Sequence, residues 1–321
     1  MKSRKFLSVL AAVALSAAVL LTGCQNTPVT ATPAPTTEAT PTPAATATPE
    51  ATTAAPSSEA PTAEATSAAP ALSGTVEVAG STSVQPLAED LAKAFSAKYP
   101  DVKINIQGGG SSVGVSSATD GTADIGNVSR ALKDAEKAEL KDYTIALDGI
   151  TVAVNPMNTV SALTAEQVTK IFKGEIKNWK EVGGADEPII VIIREASSGT
   201  RDGFQEFFKL QEKVDGKLKE FVTEDAVETN DNGSMMTNIA GKEGAIGYCS
   251  LGSANDTIKL LSVDGVAPTE ATILDGTYKY QRPFVMATKG EAPGLAKAFI
   301  EWVMGDEGKA IISKKYIVPK S

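Results

Sequence analysis

Two arginines, two serines, a glycine and a threonine fall within the eight residues Arg194-Glu195-Ala196-Ser197-Ser198-Gly199-Thr200-Arg201. Guanidinium forks match tetrahedral oxyanions and carboxylates bidentately. Hydroxyls beside a glycine at a helix start leave backbone N–H groups free, with the positive end of the helix dipole behind them. The chemistry this favours is capture of an anion, phosphate or a relative. The same residues would also suit a Ser/Thr-capped helix whose arginines make surface ion pairs, and the loop alone does not separate the two.

The elements around it must form a scaffold. The apolar run Ile189-Ile190-Val191-Ile192-Ile193 precedes the loop, and Phe204, Phe207 and Phe208 follow at helical spacing, which predicts strand, tight loop, helix. Thr75 to Ala79 alternates like a strand and passes through Gly80-Ser81-Thr82-Ser83 into a helix with Leu87, Leu91 and Phe95 on one face. Val102, Ile104 and Ile106 alternate into Gly108-Gly109-Gly110-Ser111-Ser112-Val113-Gly114. This is not a P-loop, since the Gly-Lys-Ser/Thr ending is missing, nor G-x-G-x-x-G, since Val113 holds the last glycine's place. A fourth short strand, Thr122 to Val128, reaches Ser129-Arg130 and a charged helix expected around Lys133 to Lys141; Arg130 reads as a ligand or as a solvated helix-start charge. Further on, Ile145 to Asn155 is extended with an interruption at Asp148-Gly149, and Thr164 to Gln167 has the capping-box pattern. Asn230 to Ser234 starts a helix, and Gly244 to Cys249 reads as a buried strand. Pro283 to Ala287 is a strand, while Leu295, Phe299 and Trp302 mark an amphipathic helix before a last one from Asp306 to about Lys314. The alternation predicts an α/β fold with mainly parallel sheets. Ligands bind such sheets at the strands' C-terminal ends, where four loops carrying Ser, Thr, Gly and Arg converge.

Composition excludes several classes. The 321 residues carry a net charge of −9, which argues against nucleic acid as a partner. The chain has no histidine, so a Ser-His-Asp triad, a Cys-His pair and a His-ligated zinc are all impossible. Lys2, Arg4 and Lys5 precede an apolar stretch ending Leu21-Thr22-Gly23-Cys24, an export signal that resembles a lipobox. Cleavage after residue 23 and lipidation of Cys24 would tether the chain to a membrane without spanning it. Gln25 to Leu72 holds nine prolines and no aromatic residue, lysine or arginine, which predicts a disordered tether over residues 24–72. At ~3.1 Å per residue it would reach up to ~150 Å. With Cys24 lipidated, Cys249 has no disulfide partner and reads as a small buried hydrophobe.

From Ser73 to Ser321 the chain resembles the phosphate-binding proteins of bacterial phosphate ABC importers. The resemblance rests on Gly80–Pro86, Gln107–Ser112, Asp124–Arg130 and Ser198–Arg201, in family order. It implies a two-lobed, type II periplasmic-binding fold of the venus-flytrap kind, with residues 73–150 plus 253–321 as the first lobe and 151–252 as the second. Hinge crossovers are expected near Ile150 to Asn155 and Tyr248 to Gly252. Thr82, Ser83 and Ser111 match the family's ligands on the first lobe, and Arg194, Ser198, Gly199 and Thr200 those on the second. The resemblance implies a monomer without cofactor or metal that hands inorganic phosphate to permease subunits and their ATPase, on the outer face of a cell membrane, in a Gram-positive organism.

One position departs from the family. An aspartate that accepts the phosphate proton and rejects sulfate is replaced by Arg130, counted here among the phosphate-binding positions. Either Glu195 or Asp231 takes over, or selectivity is weaker. The alternative is therefore a receptor for another tetrahedral oxyanion, sulfate or molybdate. An enzyme using Ser198 or Ser111 as nucleophile would lack a base, since no lysine or carboxylate cluster is spaced to serve.

Overall fold

The computed structural model describes residues 72–319 except Gly216. The predicted signal, Cys24 and the tether lie outside them, apart from Leu72. No helix among the described residues is long and apolar enough to cross a membrane.

In chain order, β1 (Gly74–Gly80), α1 (Gln85–Lys98), β2 (Val102–Gln107), α2 (Ser111–Asp120) and β3 (Ile125–Val128) form a parallel α/β unit. Val76 and Val78 point inward at period two, while Leu87, Leu91 and Phe95 bury one stripe of α1. A single turn, α3 (Asp134–Lys137), precedes the long strand β4 (Leu140–Val154). The charged helix expected to Lys141 is thus cut short, because Leu140 and Ile145 are buried in a strand rather than aligned on a helix face. Next come β5 (Ala162–Leu163) and α4 (Ala165–Phe172), the latter opened by the Thr164/Gln167 capping box. β6 (Ile190–Arg194), α5 (Gly199–Phe207), the hairpin β7 (Gln211–Val214) and β8 (Lys217–Glu220), β9 (Val227–Thr229), α6 (Asn232–Ala240) and β10 (Ala245–Ser250) follow. The chain closes with β11 (Lys259–Leu260), β12 (Ser262–Val263), α7 (Glu270–Leu274), β13 (Gln281–Lys289), α8 (Gly294–Met304) and α9 (Asp306–Ile312).

The main sheet runs β2-β1-β3-β13-β4-β10-β6-β9, with β11 added on β4. It is mixed rather than mainly parallel: β13 runs antiparallel to β3 and β4, and β10 antiparallel to β4. The antiparallel strands are the ones that carry the chain between its two halves. β4 pairs with β13 over Leu140 to Gly149 and with β10 over Ile150 to Val154, so one strand serves both halves.

Two large cores flank that crossing. One gathers Val76, Leu91, Phe95, Ala146, Phe284, Phe299 and Tyr316, and the other Ile150, Phe172, Trp179, Phe204, Tyr248 and Tyr280. Each fully buried large side chain contributes roughly 1.5–3 kcal/mol, so each half carries its own stabilising cluster. The second core also includes Leu261, Val263, Ile273 and Tyr278, which the resemblance assigned to the first lobe. The Tyr278 hydroxyl donates to the Ile150 carbonyl (2.8 Å), and Tyr280 stacks on Phe208 at 4.8 Å between centroids. After Gly252, which lies against Tyr316 of the first core, the chain thus packs residues 261–280 on the second core before β13 enters the first.

Candidate functional site

Strand β6 ends by delivering Arg194, which is 1% exposed, to the C-terminal edge of the sheet. Its Nε and Nη2 grip the two carboxylate oxygens of Glu195 at 2.8 and 2.9 Å, and Nη2 also donates to Thr82 Oγ1 at 3.0 Å. Its Nη1 is buried with no hydrogen-bond partner among the described residues. Ser198 caps α5, its hydroxyl oxygen accepting the Arg201 N–H at 3.2 Å. The N–H groups of Gly199 and Thr200 have no acceptor one turn back within the helix. Arg201 turns away from the loop: it holds the Arg194 carbonyl (2.6 Å), Glu228 (3.0 Å) and Glu220 (2.6 Å), and so braces the loop from behind.

The first half meets this loop directly. Ser83 Oγ lies 2.8 Å from Thr200 Oγ1, the Ser112 N–H donates to the Ser197 carbonyl (3.1 Å), and the Ser197 hydroxyl donates to the Gly109 carbonyl (2.9 Å). Glycine is required at this approach: a Cβ on Gly199 would stand 2.3 Å from Ser111 Oγ. Ser111, wholly buried, accepts the Ser129 N–H at 3.0 Å, and the two hydroxyl oxygens are 3.2 Å apart. Thr82, Ser83, Ser111, Arg194, Ser198, Gly199 and Thr200 are thus brought to one place. The N-termini of α1, α2, α5 and α6 converge there, and α1 and α2 have no side-chain cap of their own. Their summed dipoles favour an anion.

Arg130 is not gathered in with them. Its guanidinium donates to Glu136 through both Nη atoms (2.7 and 2.9 Å), to Asp202 through Nε (3.0 Å) and to the Ala131 carbonyl (3.0 Å). Against the burial that would push it up, the Arg130 bonds and the Lys133 N–H hold the Glu136 carboxyl below its ordinary value. With its donors engaged by two carboxylates and a carbonyl, Arg130 ties the β3 loop to α5, while neighbouring Ser129 faces Ser111.

Sequence reasoning missed two residues. Arg282, 4% exposed at the start of β13, pairs in register with Asp148 on β4 and bonds its carboxylate at 3.1 and 3.3 Å. It also donates to Ser83 Oγ (3.1 Å), Thr200 Oγ1 (2.8 Å) and the carbonyl and hydroxyl of Ser129 (3.1 and 3.2 Å). Burial lowers its pKa and nearby Arg194 adds to this, while burial raises that of Asp148. Two guanidiniums this close in a dry site favour an added negative charge. The available signal was an arginine opening an apolar strand, together with the Asp148-Gly149 interruption opposite it. The second missed residue is Asn232, the first of α6, whose Nδ2 donates to Ser83 Oγ at 3.0 Å.

Both carboxylates expected to replace the family's aspartate already accept hydrogen bonds from the protein. Both oxygens of Glu195 hold Arg194, and those of Asp231 cap α6 through the N–H (2.7 Å) and hydroxyl (2.8 Å) of Ser234. Although burial pushes the Asp231 carboxyl up, these bonds and Arg194 keep it below its ordinary value. Among the described residues no group of His, Cys, Asp and Glu is placed to hold a metal.

The model of the PBP superfamily domain matches residues 58–307. Phosphate-binding protein PstS of Bacillus subtilis is 36% identical over 77% of this chain and 81% of its own length, and that of Staphylococcus epidermidis 30% identical over 77% and 79%. Among solved structures, a Clostridium perfringens chain described as a phosphate ABC transporter substrate-binding protein, solved with bound phosphate, superposes with a TM-score of 0.71 at 40% identity, covering 77% of this chain and all of that one. An ABC-type phosphate transport receptor from Vibrio cholerae gives 0.64 at 35% identity, with the same coverage.

Proposed function

This chain belongs to the PstS family of phosphate-binding proteins, and we propose that it captures inorganic phosphate between two lobes for a phosphate ABC transporter. The chain acts by binding and not by catalysis. The observation that carries the reading is the Nη1 of Arg194, a buried guanidinium nitrogen without a protein partner at the meeting point of four helix N-termini. A charged donor left unpaired in a dry site is costly, and an oxyanion would relieve that cost.

The ligands are Thr82, Ser83 and Ser111 from one lobe and Arg194, Ser198, Gly199 and Thr200 from the other, with Ser129, beside Ser111, as a further donor in place of Arg130. The hydrophobic cores favour lobes of about 73–149 with 281–321 and of about 150–280. Because only the closed form offers both ligand sets, phosphate shifts the open–closed equilibrium by its differential affinity. Hydrogen bonds to a charged group contribute about 1.5–3 kcal/mol each, whereas micromolar affinity needs about 8 kcal/mol. A minority of the donors suffices. Lipidation at Cys24 and the Pro-rich tether would hold the lobes outside the cell membrane, where the closed form docks on permease subunits driven by an ATPase.

Calorimetric titration of the chain, unfolded and refolded to strip bound anion, tests the reading. Phosphate should bind at micromolar affinity or tighter, and Arg194→Lys should weaken it by about tenfold or more, since an ammonium cannot hold Glu195 and Thr82 and still present a free nitrogen. Silence toward phosphate would overturn it.

A further inference from the structure

The donors and acceptors in the site can be counted one by one. Ser83 Oγ receives Asn232 Nδ2 (3.0 Å) and Arg282 Nη2 (3.1 Å), which fills both of its lone pairs. Its own proton must then be donated, and the neighbour in reach is Thr200 Oγ1 at 2.8 Å. Thr200 Oγ1 also receives Arg282 Nη1 at 2.8 Å, so its lone pairs are filled as well and its proton points out of the network. The Ser111–Ser129 pair resolves in the same way. Ser111 Oγ accepts the Ser129 N–H and Ser129 Oγ accepts Arg282 Nη1, so whichever hydroxyl donates to the other, one proton of the pair is left over. Arg194 Nη1 adds a charged donor. Arg282 and Asn232 thereby turn the hydroxyls into donors.

A site of donors alone would hold sulfate as well as phosphate. Around this one the carboxylates already accept from the protein: Glu195 from Arg194, Asp231 from Ser234, Asp148 from Arg282, Ser250 and the Gly252 N–H, and Glu136 and Asp202 from Arg130. Two buried amide oxygens, those of Asn127 and Asn232, accept nothing among the described residues, and of the two only Asn232 is bonded to the Ser83–Thr200 pair. Asn232 is 4% exposed, and its Oδ1 is buried with no partner among the described residues. Because Nδ2 is anchored on Ser83, the short planar amide keeps Oδ1 close to the same pair of hydroxyls.

We propose that Asn232 Oδ1 accepts the proton of bound phosphate and so distinguishes phosphate from sulfate in this site. The inference rests on the phosphate reading above. A protonated phosphate oxygen donates to Oδ1, whereas sulfate, with no proton at neutral pH, turns a negative oxygen toward a carbonyl oxygen and leaves that acceptor unpaired. A neutral amide here does the work the family's aspartate does from position 130.

The test is competitive calorimetry with phosphate and sulfate on the full chain and two variants, with folding checked by circular dichroism. The wild type should prefer phosphate. Asn232→Ala should weaken phosphate, and lower its preference over sulfate, by about tenfold or more. Asn232→Asp, nearly isosteric and a stronger acceptor, loses the Nδ2 donor to Ser83 and so weakens both anions, but should raise the preference for phosphate over sulfate, which a merely structural role would not do. An unchanged preference in folded Asn232→Ala, or an unchanged or lower preference in Asn232→Asp, overturns the inference; should the alanine variant not fold, the aspartate variant decides alone. A wild type that binds both anions equally overturns the inference and leaves the phosphate reading standing. Silence toward phosphate overturns both.

Discussion

Replacing Arg282 separates what holds the fold from what tunes the site. In Arg282→Met the side chain keeps its apolar bulk, but Asp148, 2% exposed, loses both guanidinium contacts and retains only the Ser250 hydroxyl (2.9 Å) and the Gly252 N–H (3.3 Å). Breaking a buried pair from one side costs about 3–5 kcal/mol, because a charge remains uncompensated. For a domain of this size the melting temperature should fall by about 6–20 °C. Adding Asp148→Asn removes the stranded charge while keeping acceptors for Ser250 and Gly252, so the double variant should regain most of that loss. Phosphate affinity should not follow. Ser83, Ser129 and Thr200 lose the donor that aims their protons in both variants, and one misdirected hydroxyl facing a charged ligand is worth about 10- to 100-fold. Differential scanning calorimetry without ligand, beside isothermal titration with phosphate, measures the two effects apart. The reasoning is refuted if the double variant melts no higher than Arg282→Met, or if Arg282→Met binds phosphate within about threefold of the wild type.

Three further outcomes follow from the same geometry. Gly199→Ala places a Cβ 2.3 Å from Ser111 Oγ and 2.9 Å from Ser129 Oγ; titration should show phosphate binding lost while the melt of the ligand-free protein shifts little, because the clash exists only where the halves meet. Arg130→Ala should lower stability by about 1–3 kcal/mol, as Glu136 and Asp202 lose a hydrogen-bonded charge, yet weaken phosphate far less than Arg194→Lys does. Abolished binding would return Arg130 to the ligand set. Burial pushes the Cys249 thiol up to about 11, so a thiol reagent at pH 8 should label it only as the protein unfolds. Since an exposed thiol titrates near 9.0, the folded form gains its contribution below that value and loses it as pH rises from about 9 toward 11; rapid labelling of the native protein would count against this packing.

Local signals were legible wherever one segment solves its own problem. The alternation of Val76 and Val78, the stripe of Leu87, Leu91 and Phe95, the Thr164–Gln167 capping box and the Ser-Gly-Thr start of α5 depend on neighbours three or four residues away, and their elements stand where the sequence put them. That four loops carrying Ser, Thr, Gly and Arg meet was legible too, because each follows a strand in an alternating pattern and such loops share one edge of a sheet; the family resemblance singled out Thr82, Ser83, Ser111, Arg194, Ser198, Gly199 and Thr200 among them. Lys133 to Lys141 misled because charge suggested a solvated helix, while Leu140 and Ile145 are buried on β4 by contacts far along the chain. Residues 253–280 carry no clear periodicity, and their place in the second core depends on Tyr278 reaching Ile150 and Tyr280 reaching Phe208.

The electrostatic wiring of the site belongs to the same second class. The sequence by itself determined that an anion would be met by hydroxyls, glycines and guanidinium at helix starts, since residue type and local order set which donors exist. Only the tertiary structure decided which arginine serves which partner. Arg130 is spent on Glu136 and Asp202, Arg201 on Glu220 and Glu228, and Arg282, 199 residues along the chain from Ser83, orients that hydroxyl. A guanidinium's partner is set by what folding brings within about 3 Å of it, and separation along the chain carries no information about that distance.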